Sequence, residues 1–343
     1  MDHKINDSTL KATLLAMGSA LIITIILLIF SSNNPLQSIV FFFTGPFSNT
    51  YNLGNMLNKA GLLIFAGLGM SIAFRSGMFN LGGEGQVYAG ATAAVLVSIN
   101  VNFPNRYIGI ISAVIIGIIS GALIAGFSGW LKKQWNTDEL ISSFLLSGII
   151  IHFTDYLISG PFKDNSSFLN STVKIPTILF IKQFLDTSHF NISFFIAVIF
   201  TFLAFIFLFK TSMGYEIRLS GLNRKFAEYG GLPINRHLII PMLISGGMYG
   251  AMGSFASMGS YHMGIKGFTQ GFGWNGIAVA LIAGNNPAFV IPAALIFAYL
   301  DAGTQVAMIH SDLSFEFGNL IKAVIFFLIT AKKLNLKKEY LYD

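Results

Sequence analysis

Apolar runs separated by short polar stretches set the pattern of this chain. The runs cover residues 12–30, 57–74, 86–101, 107–131, 139–159, 191–210, 237–258, 274–284, 288–301 and 315–331. A straight helical crossing of a ~30 Å hydrocarbon core needs about 20 residues. Most of the runs approach that length, whereas 274–284 and 288–301 fall short of it. The pattern predicts an all-α, polytopic helical membrane protein in a single domain spanning 1–343. Counted along the chain it gives about ten crossings, or about eight if the short pair is re-entrant. The run from Ala12 to Phe30 is too long for the apolar core of a secretory signal, and no small-x-small cleavage site follows, so it reads as the first span.

Small residues recur every fourth position in 107–131, at Gly109, Ala113, Gly117, Gly121, Ala125 and Gly129. They share one helix face and predict close helix packing in lipid. Gly246, Gly250 and Ser254, with the offset pair Gly253 and Ser257, repeat the device in 237–258.

Composition agrees with a membrane solvent. Hydrophobic residues make up 54% and charged residues 10%, against about 25% charged in a soluble domain. The net charge of +6 reads as basic cytoplasmic loops and not as nucleic-acid binding. There are no cysteines, which excludes disulfides and thiolate metal sites. Lys and Arg cluster at Lys4 and Lys11, at Lys132 and Lys133, through 210–236 (Lys210, Arg218, Arg224, Lys225, Arg236), and at Lys332, Lys333, Lys337 and Lys338; the 31–56 loop has none. With the clusters inside, the tails 1–11 and 332–343 and the loop 210–236 are cytoplasmic, and the loop 160–190 is external.

Enzyme chemistry is missing: there is no GxxxxGK[ST], HExxH or GxSxG motif. The chain is therefore expected to catalyse nothing and to bind no cofactor or metal. His152 and Asp155, three apart, read as a polar relay or as a hydrogen-bonded pair. Glu316, Asn319 and Lys322 share a face of the last helix, with Asp301 a conceivable partner for Lys322. His262 and His310 read as loop or interface histidines.

Three polar interruptions stand out. FRSGMFNLGGEGQ at 74–86 holds four glycines between Gly77 and Gly85, which oppose a regular helix. Irregular backbone at membrane depth must be buried in protein or line a wet cavity, so the stretch is either a pathway element or a plain cytoplasmic turn. GNNP at 284–287 breaks the pattern again, because Pro287 disfavours helix at Asn286. In the loop 210–236, Leu222 to Tyr229 can form a short helix with Asn223 as its N-cap and Gly230 as its stop.

These stretches resemble a known family. FRSGMFNLGGEGQVYAG, then DELISSFLLSGII and YLISGPFKD through 138–164, MGYEIRLSGLNRKFAEYGGLPINR at 213–236 and GFGWNGIAVALIAGNNP at 271–287 follow in order the signatures of ABC importer permeases. The group is that of ribose, nucleoside and branched-chain amino-acid importers. The nucleoside subgroup, whose binding proteins are basic membrane lipoproteins, is the nearest. The resemblance covers roughly residues 55 to 330, with departures at Ala283–Gly284 and Thr137–Asp138. It implies a subunit of the bacterial inner membrane, half of a dimer with a second and different permease. It also implies a cytoplasmic ATPase that uses ATP and Mg, and an external binding lipoprotein that touches 160–190. In such permeases the long cytoplasmic loop docks on the ATPase, a role carried here to Gly221, Leu222, Asn223, Ala227 and Gly230. The translocation path or gate is assigned to Phe79, Asn80, Gly82, Gly83, Glu84, Gln86, Asn285, Asn286 and Pro287. Nucleosides are the implied solute and simple sugars the alternative; an ion-coupled secondary carrier is the rival class. Phe79 and Phe268 are aromatic surfaces on which a base can stack.

Overall fold

A computed structural model of the chain describes residues 21–269 and 271–311, together with residues 18, 318, 320, 323, 324 and 327. Lys4, Lys11, Glu316, Asn319, Lys322 and the C-terminal lysines lie outside the described residues, as do most of the run 315–331 and the start of 12–30. Among the described residues the regular elements are helices, with only isolated bridges of extended backbone. In order the helices are α1 (Leu21–Ser31), α2 (Pro35–Thr44), α3 (Thr50–Arg75), α4 (Gly83–Asn100), α5 (Arg106–Trp135), α6 (Glu139–Ser159), α7 (Ser193–Lys210), α8 (Ser212–Leu222), α9 (Arg224–Tyr229), α10 (Ile234–Ala256), α11 (Phe272–Ile282) and α12 (Val290–His310). Six segments among the described residues are long and apolar enough to cross a membrane: α3, α5, α6, α7, α10 with its π-helical extension to Tyr261, and α12 with the turn before it. The protein is a polytopic helical membrane protein.

The chain divides into two compact units. The larger comprises residues 58–184 and 189–294. Its centre is the trio α4, α5 and α10, which meet backbone to backbone. A Cβ added to Gly121 would fall 2.3 Å from the Gly246 carbonyl oxygen, and one on Gly250 would fall 2.2 Å from that of Gly117. The small stripes of α5 and α10 therefore face each other, as their spacing predicts. Gly121→Ala is expected to cost ~1–3 kcal/mol through overpacking, read as a lower unfolding temperature in detergent. Gly148→Ala in α6, where a Cβ meets nothing within 4 Å, is the matched control and leaves that temperature unchanged or higher.

The same unit orders the loop 160–184 over the segment after α10. Thr172 N donates to Gly264 O (2.9 Å), Ile175 N to His262 O (2.9 Å) and Ile181 N to Met258 O (3.2 Å). His262, at φ +58, stacks on Phe180 with ring centroids 3.8 Å apart. Burial holds its imidazole below the usual histidine range. At the opposite end of α5, Lys132 pairs with Glu139 at 2.8 Å. Asp138 accepts from Leu140 N and caps α6, so the unusual Thr137–Asp138 step is a helix start.

The smaller unit comprises residues up to 57, 185–188 and from 295 onward. Residues 31–56, read above as a loop, contain the ten-residue helix α2, opened by Pro35 at its first turn. Gly303 lets α12 approach α2, since a Cβ there would lie 2.3 Å from Phe42 O. Tyr299 Oη donates to Phe43 O at 3.0 Å, and His310 stacks on Phe41. Helix α12 runs past 301, and two of its polar side chains bond within it. Gln305 Nε2 donates to Asp301 Oδ2 and Thr304 Oγ1 to Leu300 O, both at 2.8 Å.

Candidate functional site

The first polar break lies between α3 and α4. Gly77 turns the chain at φ +73, and α4 restarts at Gly83. Asn80 and Gln86 are fully buried and exchange two side-chain hydrogen bonds of 2.8 Å; Asn80 Nδ2 also donates to Ser245 Oγ of α10 at 2.9 Å. Their amides brace the break from inside.

Backbone N–H groups at the start of a helix lack intrahelical partners. Here Ser147 of α6 supplies one in α4, and Ser143 supplies another to the turn just before it. Leu81 N donates to Ser143 Oγ at 3.0 Å and Gly85 N to Ser147 Oγ at 2.8 Å. This approach requires glycine: a Cβ on Gly85 would lie 2.7 Å from Ser147 Cα, and one on Gly83 would lie 2.7 Å from the buried Tyr249 ring. Neither serine was singled out from the sequence, although their spacing of four in DELISSFLLSG puts both on one helix face.

Glu84 then joins the two signature stretches. Its Oε1 accepts from Gly271 N at 2.8 Å and its Oε2 from Gly273 N at 2.7 Å. Gly271 is the N-cap residue of α11 and Gly273 its second residue, so the carboxylate caps that helix and faces the positive end of its dipole. Gly273 fits because a Cβ there would fall 2.2 Å from Glu84 N, and Tyr249 Oη donates to Gly273 O at 3.2 Å. Three half-exposed aromatics flank these contacts in the chain: Phe79 before the first break, Phe144 beside Ser143 and Trp274 beside Gly273, the last two with ring centroids 6.1 Å apart. Phe268, by contrast, is buried against Tyr88 and Tyr261. Asp155 accepts from Tyr88 Oη, which itself accepts from Gly267 N at 2.8 Å; His152 is exposed.

The second break follows α11. Gly284 and Asn285 both adopt left-handed backbone, at φ +60 and +57. Asn286 Oδ1 accepts from Ala288 N at 3.2 Å and caps the short turn Pro287–Phe289. Glu84 and Asn285 mark opposite ends of α11, about 16 Å apart at 1.5 Å per residue. The breaks are therefore two sites joined by a helix.

Arg75 connects the second break to the basic loop. Its Nε donates to Asn285 O at 2.8 Å. Gly221 of α8 sits directly on the same turn, where a Cβ would lie 2.2 Å from Arg75 O; Gly77 lies opposite Gly221 Cα. Arg75 and Arg218 both lie over the Phe209 ring. Burial and the Arg218 charge would both oppose a second cation here, and the aromatic face offsets part of that cost.

Beyond Gly221 the chain forms α9 as its residues predict: Asn223 Oδ1 accepts from Phe226 N at 3.0 Å. Gly230 stops it as the C-cap, and the left-handed turn follows at Gly231 (φ +77). One detail differs: Leu222 ends α8 and is not the start of α9. Ala227 is buried, whereas Leu222, Phe226 and Tyr229 are 85%, 62% and 92% exposed. Buried His237 on α10 holds α8 from behind, its Nε2 3.0 Å from Glu216 Oε2 and its Nδ1 2.9 Å from Ser220 Oγ. The spacing of four between Glu216 and Ser220 was the available signal, but nothing local points to a histidine further along the chain.

A family described as branched-chain amino acid transport system / permease component matches residues 52–330. The chain belongs to this family. It is the membrane-spanning permease of a binding-protein-dependent ABC importer, and a separate ATPase subunit uses the ATP. Among its relatives, the guanosine ABC transporter permease protein of Bacillus subtilis (strain 168) is 29% identical over 290 residues, 84% of this chain and 83% of the relative. The nucleoside ABC transporter permease protein of Lactococcus lactis subsp. cremoris (strain MG1363) is 28% identical over 340 residues, 95% and 93% of the two chains. The glucose ABC transporter permease protein of Haloferax volcanii is 28% identical over 316 residues, 87% of this permease and 81% of the relative.

Proposed function

We propose that this permease carries nucleosides across the bacterial cytoplasmic membrane by alternating access. The likeness to guanosine and nucleoside permeases supports that solute; the glucose relative supports simple sugars as the second reading. The permease pairs with a second, different permease, crosses the membrane about ten times and keeps both termini in the cytoplasm. The ATPase docks on 210–236, where Leu222, Phe226 and Tyr229 offer exposed apolar contacts to a partner. An external lipoprotein delivers solute over 160–190.

One observation carries the mechanism: Gly221 rests on the Arg75–Ser76 backbone, and Arg75 holds Asn285. A shift of α8 and α9 on the ATPase therefore reaches the first break directly and the second through Arg75. The gate is formed by Phe79, Asn80, Gly82, Gly83, Glu84 and Gln86 at one break and by Asn285, Asn286 and Pro287 at the other, with α11 as the strut between them. Uptake of radiolabelled guanosine and glucose into proteoliposomes tests the reading. Guanosine should accumulate only when this permease, its partner permease, ATPase and binding protein are present with ATP on the ATPase side. Accumulation of glucose alone selects the second reading, and uptake by this chain alone under an ion gradient overturns both.

A further inference from the structure

The larger unit has a groove that the transport reading does not use. Helix α5 packs on α10, and α7 packs across α3, where a Cβ on Gly61 would lie 2.8 Å from Phe194 Cα. Between α5 and α7 a cavity of about 660 Å³ remains. Ile111, Ile115 and Ile118 wall it on one side and Ile196 and Phe200 on the other, with Phe65 and Phe255 stacked as its floor. Its wall on α5 begins at Tyr107, 76% exposed, and Ile111 and Ile115 are also exposed. At that end stand two cations, Arg106 and Lys182.

From Arg106 to Ile118 the groove descends about 18 Å at 1.5 Å per residue. One leaflet of the bilayer's ~30 Å hydrocarbon core is about 15 Å deep. The depth fits one acyl chain. Arg106 and Tyr107 at the mouth have the character of a membrane–water boundary, and Trp130, Lys132, Lys133 and Trp135 mark the other end of α5. Arg106 Nη2 donates to Phe180 O at 2.6 Å, which fixes the guanidinium at the rim while using one of its five N–H donors.

We propose that this groove binds an anionic glycerophospholipid, with one acyl chain between α5 and α7 and the headgroup phosphate against Arg106 and Lys182. Charge selects this occupant: a neighbouring helix would fill the apolar trough but leave two cations at its end unexplained, whereas a phosphate pairs with both.

Native mass spectrometry of the detergent-purified full chain, titrated with phosphatidylglycerol and phosphatidylcholine, tests this. One phosphatidylglycerol should bind about fivefold or more tightly than phosphatidylcholine, as expected for a basic residue near an anionic lipid. Lys182→Gln, a change at an exposed position that spares the Arg106–Phe180 bond, should erase that preference. Ile115→Trp, also exposed, should fill the trough and remove the bound lipid of either kind. Equal binding of the two lipids to the unaltered protein overturns the headgroup assignment. Undiminished binding by Ile115→Trp overturns the groove, as does cross-linking of Ile115→Cys, labelled with a benzophenone photoprobe, to the second permease in membranes.

Discussion

Glu84→Gln is expected to lower ATP-driven uptake by about one to two orders of magnitude while the permease still inserts and assembles. The carboxylate accepts from Gly271 N and Gly273 N, and hydrogen bonds to charged groups are worth about 1.5–3 kcal/mol each. Glutamine keeps one acceptor oxygen but turns an NH₂ group toward the other amide. It also removes the negative charge at the start of α11. A loss of ~1.4–3 kcal/mol in the clamped arrangement corresponds to about tenfold to a hundredfold in its population. Glu84→Ala should go further, and Glu84→Asp should restore little, because the shorter side chain cannot span both amides. The measurement is initial uptake rate normalised to assembled complex. A rate equal to that of the unaltered permease would remove Glu84 from the gate.

Gly221→Val is expected to separate hydrolysis from transport. Its Cβ would lie 2.2 Å from Arg75 O and 2.8 Å from Ser76 C, both backbone atoms with no room to yield. The branched side chain therefore lifts α8 from the turn while α9, capped by Asn223, keeps its exposed face. We expect ATP hydrolysis to continue and solute uptake to fall at least about tenfold, equivalent to ~1.4 kcal/mol of lost coupling. Gly230→Ala is the contrasting substitution: its nearest contacts would be at 3.4 Å and its φ is ordinary, so uptake should persist. The ratio of solute moved to ATP hydrolysed checks both. If hydrolysis and uptake fell together for Gly221→Val, the residue would serve docking, and an unchanged ratio would refute its part in transmission.

Much of the architecture was legible because lipid imposes a simple rule on sequence. The runs at 107–131, 139–159 and 191–210 return as α5, α6 and α7 with their ends moved by a few residues. The small-residue stripes return as a helix interface, and the α9 cap was readable from Asn223 alone. Helix α2 was not, because a ten-residue apolar piece resembles a polar-flanked loop tip when only span length is weighed. The extent of α12 was missed because Asp301 and Gln305 look like an end until their bond within the helix is known. At the candidate site, Asn80, Glu84 and Asn285 were conspicuous as polar residues in apolar surroundings. Their partners were not, since backbone amides such as Gly271 N and Gly273 N carry no side-chain signature. Distance was equally hidden: LGGEGQ and GNNP look alike in composition, yet each belongs to a different end of α11.

The backbone-to-backbone seam of α4, α5 and α10 has a mechanical consequence. Where side chains interdigitate, rotamers can change and one helix can slide past its neighbour. Where carbonyl oxygens touch glycine Cα atoms, there is nothing to rearrange, and any slip drives main chain into main chain. We therefore expect the trio to act as a stator. Around it, α6 is held by two serine hydroxyls and by the close approach of Gly85 to Ser147, and α11 by the Glu84 carboxylate, the Tyr249 hydroxyl and the close approach of Gly273 to Glu84. Helix α8 is tied to α10 by one imidazole, so its displacement breaks two polar contacts there, whereas moving α6 or α11 also has to part close-packed main chain.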